Sequence, residues 1–233
     1  MAQRPVFLPQ AHGPALVRTV DANFDWHAGL SLGQKQKSIA SLHAAAHRLP
    51  GVCRVLEVSS KSPEPLGVAL SAFNLTIAAP ANIPSPSVEC AFQGSKVFER
   101  GGPFTDLLGK SSRQAKQDPR LQASGRLTGF RFGGVDWPLE PPTAFYDWIY
   151  ILALQHSDGL LPAAAIYDGF TDIEFNPARS INCQAYALAL ATALQRRGIL
   201  NQAAASREAF IRCVQDSKLS STYRDDFVQG SLL

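Results

Sequence analysis

Three polar residues in the stretch Ser85–Phe98, SPSVECAFQGSKVF, are spaced to act together: Glu89, Gln93 and Lys96. If the stretch is one helix, capped by Ser85 with Pro86 at the first helical position, the three fall within about 60° of one another on a single line. Their neighbours Val88, Cys90, Ala91, Phe92, Gly94, Val97 and Phe98 are apolar or small, and a helix apolar nearly all round is a buried one. An acid, an amide and an amine on a buried line offer a proton carrier, a hydrogen-bonding group and either a cation or a nucleophile. The same pattern also reads as an internal ion pair bridged by the glutamine. Helix rise separates Glu89 from Lys96 by about 10 Å along the axis, long for a direct bond and suited to something lying across the gap.

Three other places could meet a ligand. The turn EVSSKSPEP gathers Ser59, Ser60, Lys61 and Ser62, whose hydroxyls, backbone N–H groups and amine suit an anion and equally make an ordinary polar turn. YDGFTDIEFNPARSINCQ sets Asp168, Asp172 and Glu174 beside Phe170 and Phe175, as ligand contacts or as turn formers and caps. Between Lys110 and Arg131 the cations Lys110, Arg113, Lys116, Arg120, Arg126 and Arg131 stand against the single acid Asp118. That excess could face phosphates or simply water. The formal net charge of +3 is too mild to announce a nucleic-acid protein by itself.

Other chemistries find little support. His43 and His47 have the spacing of paired zinc ligands, but no glutamate follows His43 and no third ligand is in view. There is no G-x-S-x-G elbow, no G-x-G-x-x-G after a strand and no Walker loop. Cys53, Cys90, Cys183 and Cys213 show neither metal nor redox spacing. With no signal-like apolar start and no run long enough to cross a bilayer, this leads us to expect a cytoplasmic protein.

The elements that must position these residues can be read coarsely. Residues 1–30 read as irregular with a short strand at Val6–Leu8, and Ser31–Leu49 as a helix stopped by Pro50-Gly51. Val52–Val58 reads as a strand and Leu66–Ala78 as one or two more. Gly101-Gly102-Pro103 forces a loop, a short helix starts at Ser111 or Ser112, and TGFRFGG reads as an edge strand. Pro141, Pro142 and Thr143 introduce the buried aromatic helix AFYDWIYILAL; helices over Ser180–Arg197, with Gly198 as C-cap, and Ser206–Ser217 follow. The expectation is a single α+β domain with helices surrounding a small, mostly antiparallel sheet. Residues 1–50 would be an N-terminal extension with one helix, 51–200 the catalytic domain and 201–233 a C-terminal helix and tail.

LSAFN followed by VECAFQGSKVF, then AKQDPRLQASGR and DIEF before INCQA, resembles the NADAR (YbiA-like) family. There a Ser-Asn-Phe stretch precedes a helix with Glu-x-x-x-Gln-x-x-Lys-Phe, an Ala-Lys segment ends in Gly-Arg, and an Asp before Trp-Gly and an Asn-leading helix close the domain. The resemblance runs from about Leu66 to Leu194, over half the chain. The chain departs from the pattern with Phe175-Asn176 for Trp-Gly, Ser71-Ala72-Phe73 for Ser-Asn-Phe, and Asp168 where a glutamate is usual. LEVSSKSPEPLGVALSAFNLTI and FQGSKVFERGGPFTDLL look more like the bacterial branch associated with DarT-type DNA ADP-ribosyltransferase toxins.

The resemblance implies an N-glycosyl hydrolase that removes ADP-ribose from guanine bases of nucleic acid, as antitoxin to a genetically linked toxin. A second branch is implicated in cleaving early riboflavin intermediates. The alternatives are therefore a metabolic N-glycosidase acting on small ribosylamines and a non-catalytic ADP-ribose-binding module. At matching positions it implies Glu89 and Lys96 in the catalytic pocket with Gln93 nearby, and no metal or cofactor. Glu89 would move the proton, Lys96 would hold the ribose or attack the opened sugar, and Asp172 would orient a ribose hydroxyl or activate water. Phe73, Phe104 and Phe175 would stack a base, and Ser60, Lys61 and Ser62 would meet the pyrophosphate. Asn74, Gly102 and Asn182 would complete the substrate site, while Arg113, Lys116, Arg120 and Arg126 would meet the nucleic-acid backbone.

Overall fold

The N-terminal segment departs most from the sequence expectation. In the computed structural model, which describes residues 1–78 and 85–217, the supposedly irregular start is an antiparallel hairpin of β1 (Ala2–Pro9) and β2 (Val17–Phe24). From Pro5 onward β1 is buried at every position, because both of its faces are covered. Val6 and Leu8 pack with Ile39 and Leu42, and Phe7 meets Tyr186 edge-on at 5.6 Å. A strand covered on both faces loses the alternation by which a strand is read.

Local capping explains the elements that read correctly. In α1 (Leu32–Ala46) Ser31 Oγ accepts from Gln34 N, and in α4 (Ser112–Lys116), which follows a 3-10 turn at Thr105–Gly109, Ser111 and Gln114 form a reciprocal capping box. Between them lie β3 (Val55–Glu57), α2 (Pro65–Ala69), α3 (Val88–Gly94) and β4 (Lys96–Phe98). The expected strands in Leu66–Ala78 are replaced by α2, with Pro65 in its first turn. Asn74 Nδ2 closes the following turn on Val68 O at 2.8 Å, and Thr76 makes only an isolated bridge to Ser87.

The central helix is also shorter than expected. Ser87, not Ser85, caps α3 by accepting from Cys90 N, and the helix ends at Gly94. Lys96 is the first residue of β4, drawn out by pairing with Phe130. After α5 (Arg120–Ala123) come β5 (Leu127–Phe132) and β6 (Val135–Trp137). β5, expected at an edge, is the middle strand of an antiparallel sheet ordered β4-β5-β6.

The chain continues through α6 (Ala144–His156), α7 (Leu160–Ala164), β7 (Gly169–Thr171), α8 (Gln184–Arg196), α9 (Leu200–Ala204) and α10 (Arg207–Asp216). α8 starts at Gln184 rather than Ser180, because residues 176–180 form a turn in which Asn176 O accepts from Ser180 N at 3.1 Å. The α+β class stands, with two small sheets instead of one. The larger has the order β2-β1-β7-β3, antiparallel except for β3 on β7. α8 is buried from Ala185 through Leu194 and packs against α6 and β1. β1 lies beside β7, so the hairpin stands next to the segment that carries Asp172. Residues 218–233, the expected tail, lie outside the described residues. Among the described residues no helix is long and apolar enough to cross a membrane.

Candidate active site

All seven residues of α3 are buried, yet Glu89 and Gln93 face a cavity of about 840 Å³ that Lys96 and Asp172 also line. The four-residue spacing on α3 does what helical geometry requires: Gln93 Nε2 donates to Glu89 Oε1 at 3.0 Å. Gln93 Oε1 is buried with no partner among the described residues, and Lys116 Nζ stands 3.9 Å from Glu89 Oε1. Lys96 is not the far end of an ion pair. Its amine lies 4.9 Å from the Phe92 ring centroid and makes no hydrogen bond or ion pair among the described residues. Burial pushes the Lys96 pKa down to about 8, with Glu89 opposing the shift and Lys116 adding to it.

Asp172 follows β7 and is held at both oxygens. Oδ1 accepts from the backbone N–H groups of Glu174 and Phe175 at 3.0 and 3.2 Å, and Oδ2 accepts from Gln184 Nε2 at 3.0 Å. Gln184 Oε1 in turn accepts from Ala72 N at 2.7 Å, and Ala72 O accepts from Glu89 N at 2.9 Å. One glutamine and one backbone unit therefore tie Asp172 to the start of α3. Beneath them Glu57 is fully buried, accepting from Ser59 Oγ and Thr171 Oγ1 at 2.7 Å each and from Ile173 N at 2.9 Å. Burial raises the pKa of both Glu57 and Asp172 above the usual carboxylate range, and for Glu57 the Asp172 charge adds to it. His43 lies 3.0 Å from Thr171 Oγ1 and is pushed down to about 4, chiefly by burial.

Of the other sequence-identified residues, Ser60, Lys61, Phe73, Phe175, Asn182, Arg113 and Lys116 line the cavity. Phe73 lies under Lys116, whose Nζ is 5.2 Å from its centroid. The rest are occupied elsewhere. Ser62 Oγ accepts from Glu64 N at 3.2 Å, and the Asn74 side chain closes the turn after α2. Gly102, at φ +86°, supports the backbone behind Lys96: a Cβ there would stand 2.1 Å from Lys96 O. Phe104 packs on Phe98 and under Arg120. Arg120 is held by Asp106 and Asp118 at 2.7 and 2.9 Å, Arg126 by Glu99 at 3.1 Å, and Arg131 by Asp136. For Arg126 and Arg131, and in part for Arg120, the opposing acids Glu99, Asp136 and Asp106 lie outside the stretch itself.

The cavity also contains residues that the sequence did not single out: Arg4, Trp26, Lys35, Tyr146, Arg179 and Gln184. Arg4, Trp26 and Lys35 come from the hairpin and α1, and are brought in by the β1–β7 pairing; the only local signal for them was a tryptophan among polar residues. Together with Lys61, Lys96, Arg113 and Lys116 they make the wall richer in cations than in acids, a balance that attracts anions. No curated protein significantly matches the chain. A model of the DarT1-associated NADAR antitoxins matches residues 2–224, which includes the hairpin as well as α3, β4 and the Asp172 segment. The chain therefore belongs to the DarT1-associated NADAR antitoxin family.

Proposed function

We propose that this protein hydrolyses the N-glycosidic bond joining ADP-ribose to guanine in nucleic acid, reversing the modification made by a linked DarT toxin. The family supports a DarT-associated antitoxin role, and NADAR proteins include N-glycosidases. The observation that carries the reading is the Lys96 amine, unpaired among the described residues and 7% exposed, in a cavity that Glu89 and Asp172 also line. An amine with its pKa brought near neutrality and a carboxylate are what a ribosylamine needs to be opened and attacked.

In this scheme Glu89 gives a proton to the ribose ring oxygen as the ring opens, leaving an iminium between C1′ and the guanine nitrogen. Neutral Lys96 adds to C1′ and becomes an ammonium; its proton passes through the Glu89 carboxylate to the guanine nitrogen, which leaves, and a Schiff base joins Lys96 to C1′. Water, placed by Asp172, adds to that carbon; the amine departs, and the freed aldehyde recloses as ADP-ribose. Lys61, Lys116 and Arg113 suit the pyrophosphate and the adjoining strand.

The test is product analysis on an oligonucleotide carrying ADP-ribosylated guanine. Release of ADP-ribose and unmodified oligonucleotide is expected. Turnover of a free ribosylamine with the oligonucleotide untouched would overturn the reading in favour of a metabolic glycosidase. Arg113 is exposed and lines the cavity, so Arg113→Ala should lower the slope of log KM against log salt by roughly 0.7, one phosphate's worth on a single strand. Arg126→Ala, whose guanidinium is held by Glu99, should leave that slope unchanged.

A further inference from the structure

One aromatic wall of the cavity takes no part in this scheme. Trp26 follows β2, lines the cavity and keeps 37% of its surface exposed. A large aromatic ring that lines a cavity and remains open to water offers a face on which a flat ring can stack. Its loop is pinned to α1 on both sides of it, since Asp25 N donates to Ser41 Oγ at 3.0 Å and His27 N donates to Ser38 Oγ at 2.9 Å. The indole is therefore presented by a fixed backbone and not by a loose turn. Arg4 Cζ lies 5.6 Å and Lys35 Nζ 5.0 Å from the ring centroid. Lys35 is steadied by Glu174 at 2.9 Å, and the Arg4 Nε–H has no partner among the described residues. Phe73 under Lys116, another pair of this kind, stands beside Glu89, where the reacting conjugate must lie. Trp26 instead keeps exposed ring surface onto which a strand leaving the cavity could run.

We propose that Trp26, with Arg4 and Lys35, is a stacking subsite for the nucleobase next to the modified guanine on a single strand, the intervening phosphate meeting the two cations. This rests on the reading that the substrate is nucleic acid. Stacking on an aromatic face is available to any base and is the usual grip on single strands, so the subsite would favour oligonucleotide over mononucleotide without reading sequence.

The experiment compares Trp26→Ala and Trp26→Phe with wild type on two substrates, an ADP-ribosylated single-stranded oligonucleotide and an ADP-ribosylated guanosine monophosphate. Trp26→Ala should raise KM for the oligonucleotide about 10-fold, the scale on which removing a stacking ring acts, with kcat unchanged. Trp26→Phe should recover most of the loss, and the mononucleotide conjugate should be turned over as by wild type. Equal loss on both substrates would mean that Trp26 holds the ADP-ribose and would overturn the proposal, as would an unchanged oligonucleotide KM. If wild type turned over neither substrate, the glycohydrolase reading would fail. The subsite would still be judged by quenching of tryptophan fluorescence with unmodified single-stranded DNA. Trp137 is buried at 2% exposure and Trp148 donates Nε1–H to Ala204 O at 3.2 Å, so the quench should vanish in Trp26→Phe. A quench that persists there overturns the subsite.

Discussion

Glu89→Gln is expected to slow removal of ADP-ribose by about 100-fold or more, the scale of losing a general acid or base, in a protein that still folds. The substitution keeps size and shape and removes only the titratable proton. The hydrogen bond from Gln93 Nε2, 3.0 Å in length, survives, because an amide oxygen accepts as a carboxylate does. What is lost in the ground state is a 3.9 Å pairing with Lys116, whose side chain is 57% exposed, and exposed pairs contribute little. Burying an amide also costs less than burying a charge. Single-turnover rates on the modified oligonucleotide, read beside a thermal melt, check both halves. A protein that unfolds on Glu89→Gln while Lys96→Met stays folded and active would make these residues a structural feature of α3 and β4, and the catalytic reading would fail.

How much of this site could be read in the chain depended on how local each determinant is. Glu89 and Gln93 were legible because a helix fixes residues four apart without help from elsewhere, and the capping serines Ser31 and Ser111 announced α1 and α4 for the same reason. Lys96 lines the same cavity as Glu89 and Gln93, but not by the helical route expected for it. Its position comes from the pairing of β4 with β5, a contact between distant segments that propensity does not contain. Asp172 was visible as a carboxylate in a turn, but its anchor on Gln184 and the buried Glu57 beneath it depend on how β3 and β7 are set side by side. The hairpin was missed because β1 is apolar without alternating, and with it went Arg4 and Trp26. The arginines Arg120 and Arg126 were overrated for the converse reason, since Asp106 and Glu99 lie outside the window in which charge was compared.

Lys96 gives the sharpest expected result, because its two possible roles diverge in every measurement. With a pKa lowered to about 8 by burial, roughly a tenth of the amine is neutral at pH 7. If that fraction attacks the sugar, Lys96 must be neutral at the moment Glu89 gives its proton to the ring oxygen. Borohydride added during turnover should then trap an adduct whose mass adds one ADP-ribose at Lys96. Lys96→Arg should be inactive, since a guanidinium stays protonated and has no electron pair to give. Folding is not expected to confuse the outcome. The folded pKa lies below the ordinary lysine value of 10.5, so the unfolded chain holds more protons between about pH 8 and 10.5 and stability rises with pH across that window. At pH 7 the protonated amine is carried at a cost, so Lys96→Met, an apolar side chain over the Phe92 ring, should be at least as stable as wild type while showing no turnover. A cation that merely positioned the ribose would give a different set of results: no adduct under turnover and partial activity in Lys96→Arg. The amine has neither a hydrogen bond nor an ion pair to justify its burial among the described residues, and it lies against an aromatic face in the same cavity as Glu89 and Asp172; attack on the opened sugar is the role that makes use of that placement.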